Sequence, residues 1–125
     1  MPTIKTHITN ISTQKSYASV QDLEHTPAEN LLKGETGRVF NFFVEYDNAT
    51  VGFVHVYDKK GSITFGTDQP IMVFPVKGTT FGCSVMSQQG ILISDGLSLA
   101  GSNTAGSGTS GAAPTGTIDI YVVGS

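Results

Sequence analysis

Residues 52–58 (GFVHVYD), with Val51 before them, alternate between two faces that are both apolar. A strand of that kind has to be covered twice, and this constrains the chain more than any other feature. In extended backbone Val51, Phe53, His55 and Tyr57 form one row, and Val54 and Val56 the other. Two flanking segments are built alike: residues 38–46 (RVFNFFVEY) and 70–77 (PIMVFPVK). β-Branched and aromatic side chains fill a pleated surface at little cost in rotamer freedom. In the first segment Phe40, Phe42, Val44 and Tyr46 are predicted to share one face, with Val39, Asn41, Phe43 and Glu45 opposite. Cover for both faces of residues 52–58 comes either from within a thick sandwich or from a contact between subunits.

The rest of the chain is punctuated for short strands. Residues 1–28 read as an N-terminal arm or edge strand, in which Ile4 and Ile8 alternate weakly and Tyr17 and Val20 are possible anchors. Pro27 limits any helix there to a single turn with Thr26 as its cap, and a short strand over 30–33 is the equal alternative. Residues 29–125 read as one β-sandwich domain. Asp47 and Asn48 predict a hairpin connection between the first two central strands. Gly61 and Gly66 punctuate a loop in which Phe65 is expected to plug the edge of the core. Pro70 opens the third strand, and Pro75 places that strand at a sheet edge or bulge because it cannot donate to a ladder. Two strands follow at 79–87 and 90–94, joined by Gln88 and Gln89, then a short one at 97–99. Residues 101–115 (GSNTAGSGTSGAAPT) contain no large apolar side chain and predict a flexible Gly/Ser-rich loop. A last strand at 117–123 closes the domain. The sum is an all-β, antiparallel β-sandwich, jelly-roll-like, with about eight short strands and an extended N-terminal arm.

A chain of 125 residues is long enough for one core without staples. Only 14 % of residues are charged, so its surface is made largely of Ser, Thr, Asn, Gln and Gly, which suits contact with other proteins. The net charge of −3 and a single adjacent basic pair, Lys59 and Lys60, argue against nucleic acid as a partner. The first residues carry no apolar run and no segment is long enough to span a bilayer, which predicts a protein kept in a cytoplasm without a membrane partner.

Little here points to chemistry. Cys83 excludes an internal disulfide, and in the alternating run Phe81, Cys83, Val85 it reads as a small buried hydrophobe. His7, His25 and His55 lie far apart in sequence, without metal-ligand spacing. His55 is expected to be a half-buried core or interface side chain, with a pH-responsive contact as the alternative. Glu24, Glu29, Glu45 and Asp47 are dispersed. Asp58, Asp68 and Asp95 sit in turns, where aspartates bond backbone; they lack the spacing of a Ca²⁺ loop. The triplets at Asn10 and Asn48 have the form of glycosylation acceptors but read as chance. No catalytic, metal or cofactor residues are assigned, and no enzyme is expected.

Four runs, in order, carry a resemblance: Arg38-Val-Phe-Asn-Phe-Phe-Val-Glu-Tyr46; Val54-His-Val-Tyr57-Asp58-Lys59; Phe65-Gly-Thr-Asp-Gln-Pro70 with Ile71-Met-Val-Phe-Pro75-Val; and Gly90-Ile-Leu-Ile-Ser-Asp-Gly96-Leu. This succession, within residues 32–99, resembles small structural proteins of tailed-bacteriophage particles. The resemblance implies a capsid decoration (cement) protein, a trimer that binds the major capsid protein or other virion proteins and is assembled in the host cytoplasm. A head-fibre, collar or tail and spike component, or a carbohydrate-binding module on the virion surface, are the alternatives. The first thirty residues depart from the pattern, and the loop at 101–115 is longer than the pattern implies.

Overall fold

The protein, seen in a computed structural model, is described over residues 16–26, 28–33, 36–78, 83–106 and 111–124. Eight strands lie among the described residues: β1 (Ser16–Val20), β2 (Glu29–Lys33), β3 (Gly37–Tyr46), β4 (Asn48–Asp58), β5 (Met72–Gly78), β6 (Cys83–Ile93), β7 (Gly96–Ser102) and β8 (Ile118–Gly124). They form two antiparallel four-stranded sheets, in the orders β1-β8-β3-β6 and β2-β7-β4-β5. The pairings 1 with 8, 2 with 7, 3 with 6 and 4 with 5 are nested, as in one long hairpin that has been rolled up. The all-β sandwich expected from the sequence is therefore the fold.

The inner faces of both sheets supply one core. Phe42, Val44 and Tyr46 of β3, Ile93 of β6 and Ile118, Ile120 and Val122 of β8 meet Val54 and Val56 of β4, Phe74 and Val76 of β5 and Leu97 and Leu99 of β7. Phe42 and Phe74 touch across the layers with ring centroids 5.7 Å apart. Burying each such side chain contributes about 1.5–3 kcal/mol, which is why strict alternation in β8 survives as strict alternation of burial.

Several expectations change. Asp47 does not make a hairpin: β3 and β4 belong to different sheets, so the chain crosses the sandwich there. The phase of β3 slips at Phe40. Val39 pairs with Gly124 and Asn41 with Val123, leaving Phe40 as an extra residue, and so Val39 rather than Phe40 is fully buried. The strands expected at 79–87 and 90–94 are one strand over its described part. Between the pairs Val39–Ile91 and Asn41–Met86, residues 87–90 of β6 bulge out, with Gly90 at φ +82° against Arg38 and Phe40. The third segment starts at Met72 rather than at Pro70, and Pro75 does lie on an edge strand.

The arm is in part a piece of the sandwich. β1 is the edge strand beside β8, and Val20 and Leu23 belong to the core. Leu23 N donates to Ile118 O (2.8 Å) and Gly101 N to Glu24 O (3.0 Å), which stitches the segment after β1 to both sheets. Residues 1–15 and Pro27 lie outside the described residues. The loop expected from residue 101 starts later, because Gly101 and Ser102 are buried members of β7. Asn103 N donates to Ala112 O (2.9 Å) and Ala112 N to Asn103 Oδ1 (3.0 Å), closing the base of that loop. Residues 107–110 lie outside the description.

Candidate functional site

The second apolar face of β4 is covered by the chain itself at His55 and Tyr57, while Val51 at the start of the same row stays exposed. His55 and Tyr57 point away from the core yet are 0 % and 1 % exposed. Phe65, in the loop after β4, packs edge-on against both, with centroid distances of 5.8 Å and 6.2 Å. His25 stacks on Phe65 at 4.0 Å, and its Nδ1 donates to Gly101 O at 3.1 Å. Phe65 is thus a plug, but over the outer face of a sheet. The 103–106 segment completes the cover: Thr104 O accepts from His55 Nε2 at 2.8 Å. A carbonyl can only accept, so Nε2 carries the hydrogen and Nδ1 of the neutral ring is left as an acceptor. That Nδ1 and the Tyr57 hydroxyl are buried without a hydrogen-bond partner among the described residues. Burial, and next the negative charge of Asp68, hold the Tyr57 phenol above its ordinary pKa. The subunit contact that the pattern of β4 suggested is, on this face, an intramolecular one.

The aspartates hold turns. Burial would raise the pKa of Asp58, but backbone N–H groups of Ser94, Asp95 and Gly96 donate to its carboxylate and hold it below the ordinary value. Asp68 is lowered first by the hydrogen bond from Lys59 Nζ (2.8 Å) and next by the Thr64 amide (2.7 Å). Asp47 Oδ1 takes the Thr117 amide (2.6 Å) beside Tyr46 Oη, which takes that of Gly116 (3.1 Å). These carboxylates are engaged by loops and do not converge on one point. Among the described residues no group of three or more His, Cys, Asp or Glu side chains could hold a metal ion.

Among the described residues two surface features stand out. One is a cleft of about 320 Å³ lined by residues 22–26 together with Ala113, Pro114 and Gly116. Asp22, Glu24, His25 and Thr26 contribute its polar groups, and Asp22 stands at φ +56° with its amide on Asp119 Oδ1 (2.9 Å). The other is the outer face of the β1-β8-β3-β6 sheet. Phe43, Met86 and Leu92 are 38 %, 76 % and 57 % exposed there. Cross-strand pairing places Phe43 opposite Ser84 on one side and Tyr121 on the other, and Asn41 between Met86 and Val123. The rings of Phe43 and Tyr121 are 6.0 Å apart.

The structure brings His25 and His55 to one aromatic cluster with Phe65 between them, a proximity that thirty residues of separation hid. Glu24 joins the cleft; Glu29 lies on β2, Glu45 on the outer face of β3. Asp95 serves the Asp58 turn through its backbone. Asn48 Oδ1 accepts from the Thr50 amide (2.8 Å). His7, Asn10 and the side chain of Cys83 lie outside what is described. Sequence reasoning passed over Met86 and Leu92, although the lack of any charge in residues 83–93 was a signal of an unguarded edge strand.

Comparison with protein-family models, with curated proteins and with solved structures finds no match for this chain.

Proposed function

We propose that this chain is a structural protein of a tailed-bacteriophage particle, a capsid decoration protein that binds and stabilises the shell of the major capsid protein. The observation that supports this reading is the apolar outer face bearing Phe43, Met86 and Leu92, which suits a chain that works as part of an assembly. A monomer leaves those side chains in water, and such a face is the usual mark of a protein contact. The motif order between residues 32 and 99 supplies the phage setting, and the rolled-up hairpin, read as a jelly roll, fits it. Imidazoles and carboxylates that would serve catalysis are used to fasten loops, which also favours an assembled part over an enzyme. Copy number per particle tests the proposal. Purified virions are expected to hold the chain in a fixed ratio near that of the shell subunit, and particles lacking it should fail at lower temperature. A few copies per particle would instead make it a collar, fibre or tail component.

The cleft at residues 22–26 favours a second reading, a carbohydrate-binding module. Carboxylates such as Asp22 and Glu24 accept hydrogen bonds from sugar hydroxyls, with Ala113 and Pro114 as the apolar wall. Retention on host polysaccharide that Asp22→Ala with Glu24→Ala abolishes would support it; absence of retention removes it.

A further inference from the structure

We propose that the outer face of the β1-β8-β3-β6 sheet packs against the same face of a second copy of this chain, across a two-fold axis perpendicular to the strands. The inference rests on reading this face as a protein contact and names its occupant. The centre of the face is uncharged: Asn41 and Phe43 of β3, Ser84 and Met86 of β6, Tyr121 and Val123 of β8. The ends are charged with opposite sign. At one end Arg38 lies opposite Leu92; among the described residues its guanidinium reaches only Gln89 O, at 3.3 Å, and is in no ion pair. At the other end Glu45 and Asp119 stand directly opposite each other as cross-strand partners. Like charges so placed are destabilising, and neither carboxylate has a cation in an ion pair among the described residues.

A face with a cation at one end, two anions at the other and apolar side chains between is complementary to itself when turned end for end. The two-fold axis sets Arg38 of each copy over the Glu45–Asp119 end of the other, and Met86 and Phe43 close the middle. That is an isologous contact, in which one patch serves both sides. A threefold ring would set this patch against a different surface of the next copy, and the charged ends would not meet. Other surfaces are left free for a shell, so a decoration protein built this way attaches as dimers.

The test is sedimentation velocity on the full chain at micromolar to high micromolar concentration, with thermal melts to confirm folding. The wild type is expected to be a dimer that Arg38→Glu weakens by at least about tenfold, since like charges then face each other. Adding Glu45→Lys to Arg38→Glu should recover part of the lost affinity, because the introduced lysine gives the introduced glutamate a cation to face, beside the Asp119 that remains. Met86→Lys, at a position 76 % exposed and outside the core, should also give monomers while leaving the fold intact. A wild type that stays monomeric or forms trimers, a dimer indifferent to Arg38→Glu or Met86→Lys, or a folded double variant that associates no better than Arg38→Glu alone would each overturn the proposal. None of these outcomes bears on copy number in virions, so the two proposals fail separately.

Discussion

The carboxylate of Asp58, at the end of β4, lies 2.7 Å from the amide nitrogen of Asp95. The amides of Ser94 and Gly96 donate to the same group, so the turn that carries the chain from β6 in one sheet to β7 in the other hangs from a single side chain. Its charge is therefore part of the stability of the fold. A carboxylate that gathers amides is favoured in its ionised form, and the protein gives up that advantage when the group takes a proton.

Asp58→Asn keeps the shape but removes the charge and one acceptor. Allowing for solvent around the site, the expected loss is roughly 1–2 kcal/mol at neutral pH. The pH dependence has a definite sign. Asp58 and Asp68 are both lowered in the folded chain, so their contribution is present above the unfolded carboxylate pKa of about 3.9 and is lost as pH falls through the lower folded values. Urea melts of wild type and Asp58→Asn should differ at pH 7 and converge in acid. A gap that persists unchanged below the carboxylate range would refute this assignment.

Tyr57→Phe is expected to leave stability unchanged or raise it by up to about 1–3 kcal/mol, because the hydroxyl it removes is buried without a partner among the described residues. The same phenol has a raised pKa, so the wild type should lose stability as pH climbs above the unfolded value of about 10, where only the unfolded chain ionises freely. The variant should lack this phenol's share of that alkaline loss. Thermal melts at pH 7 and above pH 10 check both parts, and a marked destabilisation at pH 7 would mean that the hydroxyl is satisfied after all.

Leu23 follows β1 and is 1 % exposed, so Leu23→Ala should cost about 2–5 kcal/mol, the range for a cavity in a packed core. Removing residues 1–28 takes away β1, Val20, Leu23 and the hydrogen bonds to Ile118 and Gly101. The shortened chain should lose its sharp thermal transition. A truncated protein that melts cooperatively at the original temperature would show that this segment contributes nothing to folding.

The class of fold was legible because period-two alternation of Val, Ile, Phe and Tyr is a local property: a residue's face in a strand depends only on its neighbours in sequence. Turn aspartates were legible for the same reason, and so was the edge position of Pro75, which lacks a donor wherever it stands. The pairing of strands was not local. Asp47 between two strong strands looks like a hairpin, yet the chain crosses to the other sheet there, and what stabilises the crossing is the bond of Tyr46 and Asp47 to Gly116 and Thr117, seventy residues away. The bulge at Phe40 depends on how β8 and β6 lie beside β3, so the burial of Val39 in place of Phe40 emerges only with those partners present. Sequence alone established that both sides of residues 52–58 must be covered. Only the tertiary structure decided that Phe65, His25 and Thr104 of the same chain cover His55 and Tyr57 on one of them, and that Phe43, Met86 and Leu92 are left exposed together on β3 and β6 of the opposite sheet. Burial is a property of surfaces brought together from distant parts of the chain, and no window of neighbouring residues contains it.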